Sequence, residues 1–246
     1  MNPPEFLYKY RALNAYSLAS LTNNTLWLAK PKSFNDPFDC AITLDHQKYK
    51  ESVLHAVTVA LQRAKPEGLR PEHLHDILPG DKEAFETFRT SVLSAVQAMG
   101  ICSFSATPNH MLMWSHYADN HKGFSVEYDC REGTKLRELA HPVSYQDEVP
   151  SLTTADFAPP NRKKSFYALW LTKAKCWEYE QEWRIMMSTG DKNFQTPSAV
   201  VSVIFGARMP ESDRVMIAQA LRQQSEIKFK VAHLREGKFF IEIVDA

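Results

Sequence analysis

The sequence predicts an α+β fold around a mixed or antiparallel sheet, and three observations support this prediction. Short runs of alternating apolar and polar residues, typical of strands, recur along the chain. Segments with helical periodicity interrupt them without the regular strand–helix alternation of parallel α/β proteins. The 246 residues are enough to bury a substantial core. We therefore expect one α+β domain over residues 1–246.

The first half of the chain contains early strands and a long helical segment. Residues 7–11 and 25–29 alternate like strands, and residues 12–21 between them have a helical pattern. Residues 47–99 are helical in pattern, with an apolar stripe on each side of a stretch that is rich in proline and glycine. We expect this segment to be a helical insertion within the domain that serves packing rather than chemistry.

Strand and helix patterns continue in the second half. Thr107 before Pro108 is typical of a helix N-cap, and Gly123 is predicted to end that helix in a left-handed turn. Strands are predicted at 101–105, 124–129, 142–145, 183–187, 199–205, 229–234 and 239–244, with helices at 109–119, 164–175 and 211–224.

Composition excludes several classes of protein. The 29 basic and 29 acidic residues balance, which argues against a protein that coats nucleic-acid duplexes. No apolar run approaches the roughly 20 residues of a membrane span. The N-terminus lacks the pattern of a signal peptide. The four cysteines are scattered, so we expect free thiols, no metal site and a cytoplasmic location.

Three glutamates alternate with larger residues near the end of the chain. In an extended backbone Glu178, Glu180 and Glu182 would share one face. Like charges on one face repel unless that face is wet or holds cations. One interpretation is a solvated edge that leads into a buried strand at Trp183. The other is a carboxylate pair at the rim of a pocket.

Two further patterns point to a ligand site. Arg11 lies on a strand with Tyr8 and Tyr10, and its guanidinium is suited to a phosphate, although a surface arginine is the alternative. Ser103 and Ser105 share one face of the next long strand, where their hydroxyls either line a pocket or pack beside a helix.

Four motifs give the chain a resemblance to an uncharacterised prokaryotic family, a domain of unknown function. They are LYKYR at 7–11, FNDPFD at 34–39, CSFS at 102–105 with MWSHYADNHKGF at 113–124, and WEYEQEWRI at 177–185. The resemblance covers residues 7–244 and implies no activity.

The chain also distantly resembles the ADP-ribosyltransferase superfamily, which orders an Arg, a Ser-x-Ser strand and a Glu-x-Glu turn along the sequence. Arg11, Ser103–Ser105 and Glu180–Glu182 follow this order, although Phe104 replaces the usual threonine. The resemblance implies an ADP-ribosyltransferase-like fold with NAD as substrate. It makes Arg11 and Tyr10, with both serines, the cofactor-binding residues.

In that family the final glutamate stabilises the ribosyl cation, which implies a catalytic Glu182 assisted by Glu180 or Glu178. The leading hypothesis is therefore an NAD-dependent ADP-ribosyltransferase that modifies a macromolecular acceptor, protein or nucleic acid. Toxins and phage-defence effectors are the usual bacterial setting of this chemistry, with an antitoxin or operon partner. This hypothesis requires Arg11, Ser103 and Glu180–Glu182 to converge on one cleft.

Two rival hypotheses remain. A metal-dependent nuclease would gather four carboxylates around metal ions with a nearby Lys9 or Lys175. These carboxylates are Asp36, Asp39, Glu180 and Glu182. A non-catalytic binding module would instead bury Trp114, Tyr117, Trp177 and Trp183 as core and leave the glutamates solvated.

Overall fold

The computed structural model describes residues 3–64, 81–157, 160 and 162–246. Its strands are β1 (Phe6–Arg11), β2 (Thr25–Leu28), β3 (Thr43–Leu44), β4 (Gly100–Ser105), β5 (Phe124–Asp129), β6 (Ala140–Pro142), β7 (Ser144–Gln146), β8 (Ser151–Leu152), β9 (Thr172–Ala174), β10 (Glu182–Met187), β11 (Lys192–Gln195), β12 (Val200–Phe205), β13 (Lys228–Leu234) and β14 (Ile241–Asp245). Its helices are α1 (Ala15–Thr22), α2 (His46–Ala64), α3 (Asp81–Ala98), α4 (Met111–Tyr117), α5 (Lys135–Leu139), α6 (Arg162–Leu171) and α7 (Glu211–Ala220). Three 3-10 helices, Pro31–Ser33, Thr154–Phe157 and Lys175–Glu180, complete these elements.

Eight of these strands form one sheet in the order β14-β13-β12-β5-β1-β4-β10-β6. Its pairs are antiparallel except for β12 with β13, which run parallel. The predicted α+β class with a mixed, mostly antiparallel sheet is therefore confirmed. The ADP-ribosyltransferase-like assignment stays a prediction.

The two faces of the central strands differ in chemistry. Leu7, Phe104 and Trp183 alternate onto one face, the core face, and belong to the largest cluster of buried apolar residues. Tyr8 and Glu182 lie on the other, which we call the carboxylate face. Strand register places them on the same face, because residues directly opposite each other in paired strands share a face and both Tyr8 and Glu182 stand opposite Ser105 of β4.

Helices occupy both parts of the segment predicted as a helical insertion. On α3, Phe85 and Val96 are buried. The Phe85 ring lies 5.3 Å from that of Tyr49 on α2. Residues 65–80 between the two helices lie outside the described residues, so the insertion stays a prediction as a unit.

The predicted boundaries of the helix after β4 are wrong at both ends. Its N-cap is His110 rather than Thr107, whose backbone amide donates to the Ser105 hydroxyl in a turn. Residues 119–121, and not Gly123, adopt left-handed conformations after the helix. Glycine is required at 123 for space, because a Cβ there would lie 2.1 Å from the Arg11 carbonyl oxygen.

No helix of the described residues is long and apolar enough to span a membrane. All four cysteines are free thiols, and Cys176 is the exposed one among them.

Candidate active site

The glutamate segment is not extended, contrary to prediction. Lys175–Glu180 forms a 3-10 helix, and Gln181 then takes a left-handed conformation with φ of 45° before β10 begins. The turn relieves the repulsion expected of three carboxylates on one face, because it leaves Glu178 exposed. Glu180 and Glu182 are each 3% exposed, so neither is the solvated or rim carboxylate that the sequence suggested.

Lys173 on β9 holds the two buried glutamates together. Its ammonium lies 2.5 Å from Glu180 Oε2 and 2.9 Å from Glu182 Oε2. Asp39 Oδ2 lies 3.6 Å from the same nitrogen. Three carboxylates thus surround one buried cation, which offsets their mutual repulsion.

Arg184, which is fully buried on β10, completes the cluster. Its Nε donates to Glu182 Oε1 at 2.7 Å, and its Nη1 and Nη2 donate to the two Asp39 oxygens at 2.8 and 2.7 Å. Nη1 also donates to the Trp170 carbonyl at 2.7 Å. The bidentate pair with Asp39 fastens the FNDPFD loop to the EWRI strand, so these two motifs are parts of one structure.

The remaining contacts fix the position of Glu180. Tyr117 on α4 donates its hydroxyl to Glu180 Oε1 at 2.5 Å, and Ser105 donates to the Glu180 carbonyl at 2.7 Å. Asn35 of the FNDPFD loop donates to the Tyr117 hydroxyl at 3.4 Å. Three of the four sequence motifs therefore contribute to the contacts around this carboxylate.

A cavity of about 190 Å³ opens beside the cluster, and we call it the carboxylate cavity. Phe34, Asn35, Tyr8 and Tyr117 contribute to its walls. Five of the six predicted site residues also line it: Tyr10, Ser103, Ser105, Glu180 and Glu182. Lys9, a further lining residue, donates to the Ser103 carbonyl at 2.8 Å, between β1 and β4.

An aromatic cluster continues from Tyr117. The Tyr179 hydroxyl lies 2.9 Å from His116 Nδ1, and the Tyr179 ring stacks on His110 at 5.1 Å. The Trp177 ring lies 6.0 Å from that of Tyr179, and its Nε1 donates to Asp36 at 2.7 Å. Asp36 is thus a brace for Trp177.

The two glutamates have opposite pKa shifts. Burial raises the pKa of Glu180 and nearby Glu182 raises it further, which together outweigh the lowering by Lys173. Burial also acts to raise the pKa of Glu182, but Arg184 and Lys173 reverse this and hold it well below its usual value. Burial acts to lower the pKa of Lys173, and Glu182, Glu180 and Asp39 raise it overall. Neighbouring carboxylates whose pKa values are shifted in opposite directions are typical of acid–base sites.

The prediction that Arg11 shares this cleft is wrong. Tyr10 faces the carboxylate cavity, and the next residue along β1 alternates onto the opposite face of the sheet. Arg11 lines a separate cavity there with residues of α1 and β2. Short motifs in the expected order do not encode the strand register that decides which face a side chain occupies.

The carboxylates proposed for a nuclease converge only in part. Asp39, Glu180 and Glu182 gather around Lys173, whereas Asp36 is bonded to Trp177. Within the described part of the chain, no group of three or more His, Cys, Asp or Glu residues is arranged to hold a metal ion. The ammonium of Lys173 occupies the centre of the carboxylate cluster.

Sequence reasoning missed the two cations that organise the site. Lys173 falls within the predicted helix 164–175, and Arg184 falls within the predicted strand 183–187. A signal was present, because a lysine within Trp170–Ala174 and an arginine between Trp183 and Ile185 interrupt apolar runs. A charge within such a run requires a buried partner.

Comparison with known proteins gives one match. Residues 113–185 match the model of a family described as a protein of unknown function (DUF2971). The predicted resemblance to an uncharacterised family is confirmed over this segment, which contains most of α4 and the cluster residues Lys173, Glu180, Glu182 and Arg184. No curated protein and no solved structure matches the chain.

Proposed function

We propose that the chain is an enzyme acting at the glycosidic carbon of a sugar or nucleoside, with Glu180 as its proton acceptor. The observation that carries this proposal is the pair of neighbouring carboxylates with opposite pKa shifts beside a cavity. Pairs whose environments push their pKa values apart are the mark of acid–base assignments in glycosidic chemistry.

The charge of the cluster supports chemistry through a developing cation. The carboxylates of Asp39, Glu180 and Glu182 outnumber the cations of Lys173 and Arg184 by one. This excess is held in a buried, fixed arrangement, where charge interacts more strongly than in water. The carboxylates of this cluster stabilise a positive anomeric carbon beside them, and Lys9 adds a further cation to the cavity lining.

Cavity size limits the ligand. About 190 Å³ is below the roughly 300–1,000 Å³ of sites that enclose drug-sized ligands, so one sugar or one base fits and a whole dinucleotide does not. The rings of Tyr8, Tyr10 and Phe34 offer flat apolar surface, and Asn35 offers an amide. NAD remains a candidate only through its nicotinamide-ribose half.

Glu180 is the proton acceptor because its oxygens contact one cation and a neutral hydroxyl, whereas the oxygens of Glu182 contact two cations. Arg184 and Lys173 hold both oxygens of Glu182, which makes Glu182 a positioning residue. Glu180 would take the proton from an attacking hydroxyl while the oxygen of that hydroxyl bonds to the anomeric carbon. The bond to the leaving group breaks at the same time, and its electron pair departs with that group.

The ADP-ribosyltransferase hypothesis is a narrower form of this proposal, with a macromolecule as the acceptor hydroxyl or amine. It requires Arg11 as a phosphate clamp in the same cleft, and because Arg11 lines a different cavity this narrower form is not the one that we propose. The toxin, phage-defence and antitoxin settings depend on it and stay predictions.

The test is a panel of chromogenic aryl glycosides, nucleosides and NAD, with Glu180→Gln beside wild type. We expect at least one probe to be cleaved, and we expect Glu180→Gln to lower kcat/KM by roughly a hundredfold or more. Because the proton acceptor must be ionised, the acid limb of the rate profile should lie above the ordinary Glu pKa of about 4.3.

Glu178→Gln is the matched control, since Glu178 belongs to the same segment and is exposed. Its turnover should equal that of wild type. Full activity of Glu180→Gln would remove Glu180 from the mechanism. If wild type binds a probe in the cavity but cleaves none of the panel, the rival binding-module hypothesis is favoured instead.

A further inference from the structure

A second cavity, which we call the Arg11 cavity, lies on the opposite side of β1 from the carboxylate cavity. It measures about 610 Å³ and is formed by the end of β1, helix α1, strand β2 and Asn193 of β11. This volume is within the range that encloses small-molecule ligands. None of the functions considered above uses it.

Arg11 in this cavity has an unsatisfied guanidinium. Its Nη2 is buried and has no hydrogen-bond partner in the part of the chain that the structure describes. None of the described residues lining the cavity is acidic. A buried polar group without a partner is costly, and a guanidinium offers a planar fork that matches an oxyanion.

Neighbouring residues add hydrogen-bond donors to the cavity. The Asn14 side chain accepts from the Ser17 amide at the start of α1, which fixes it at the rim of the cavity. Asn14, Asn23 and Asn193 bring side-chain amides to the cavity. These donors together exceed what the two oxygens of a carboxylate need and suit the three free oxygens of a phosphate monoester.

Aromatic surface lies at the same place. The side chains of Tyr16 and Trp27 line the cavity and are 88% and 46% exposed. Asn193 stands directly opposite Trp27 in the β2–β11 pair. Exposed ring faces beside a cation and amides form a surface on which a planar ring can stack.

We propose that the Arg11 cavity binds a phosphate monoester that carries a planar ring, a ligand of the size and chemistry of a mononucleotide. Arg11 binds the phosphate, the asparagine amides complete its hydrogen bonds, and the ring lies against Trp27 and Tyr16. The site is independent of Glu180 and of the chemistry proposed for the carboxylate cavity.

The test is calorimetric titration with AMP, adenosine and inorganic phosphate. We expect wild type to bind AMP, adenosine to bind at least about tenfold more weakly, and AMP affinity to fall as salt is raised. Arg11→Met should weaken AMP binding at least about tenfold. Arg222→Met, at an exposed arginine that does not line the cavity, is the matched control and should bind as wild type does.

Two further variants separate the parts of the proposal. Trp27→Ala should weaken AMP and leave inorganic phosphate unchanged, whereas Glu180→Gln should change neither. Unchanged AMP affinity in folded Arg11→Met would overturn the proposal, as would wild type that binds neither AMP nor phosphate at millimolar concentration. AMP affinity that Trp27→Ala leaves unchanged would overturn the assignment of the ring.

Discussion

The two cavities beside β1 treat buried charge in opposite ways. Around the carboxylate cavity, Lys173 and Arg184 each contact more than one carboxylate. In the Arg11 cavity, no described acidic side chain lies within ion-pair distance of the guanidinium. The cations Lys173 and Arg184 are therefore ion-paired within the protein, whereas Arg11 has no acidic partner among the described residues. This difference is what we expect if the first site fixes its own charged groups in place and the second is the proposed site for an anionic ligand.

The largest loss of stability is expected from replacing Arg184, which links the FNDPFD loop to the EWRI strand. Arg184→Met leaves Asp39 and Glu182 buried without their bidentate partner, which typically costs about 3–5 kcal/mol. Urea unfolding at pH 7 measures this change in the free energy of unfolding. Arg222→Met, at an exposed arginine, is the control and should stay within about 0.5 kcal/mol of wild type. A similar loss in both variants would show that the buried network does not stabilise the fold.

A smaller, pH-dependent effect is expected at Glu182. Its pKa is lowered in the folded protein, so its contribution to stability is present above the unfolded value of about 4.3 and is lost as pH falls toward the folded value. Glu182→Gln should therefore be clearly destabilised at pH 7, and the gap to wild type should narrow below pH of about 4.

Thermal melts of both proteins from pH 3 to pH 8 check this. Glu178→Gln controls for loss of a negative charge in the same segment and should follow wild type throughout. A gap that stays constant over the whole range would contradict the ion pairing of Glu182.

The smallest change in stability is expected for Arg11, in the cavity on the other side of β1. Arg11→Met removes a cation that has no acidic partner among the described residues, so stability at pH 7 should stay within about 0.5 kcal/mol of wild type or increase. Denaturant unfolding without added phosphate measures this. A loss as large as that of Arg184→Met would mean that Arg11 is paired within the protein, and the contrast between the two cavities would not hold.

Local patterns predicted much of the fold. The alternation of residues 124–129 matches β5 fully, and the strands at β1, β4 and β10 were located to within a residue. Periodicity reports which residues share a face, and these strands are regular enough for that rule to hold. The glutamate segment was mispredicted because a 3-10 helix and a left-handed residue interrupt the alternation there.

The sequence predicted which residues line the candidate site better than it predicted how they are arranged in space. Ser103, Ser105 and Glu182 reach one cavity as expected, because they follow the alternation of paired strands. Arg11 does not, since its position depends on a one-residue step along β1 that motif order does not specify. The contacts of Lys173 could not be predicted, because those with Glu180 and Glu182 depend on the unpredicted 3-10 helix between them and the one with Asp39 joins residues far apart in sequence.

The most direct test of the central claim is a carbon-detected NMR titration of the Glu180 and Glu182 side-chain carboxyls, assigned with the two glutamine variants. We expect Glu180 to titrate above the ordinary value of about 4.3 and Glu182 to remain ionised well below it. Carboxyls that titrate together near 4.3, or in the reverse order, would contradict the assignment of Glu180 as the proton acceptor.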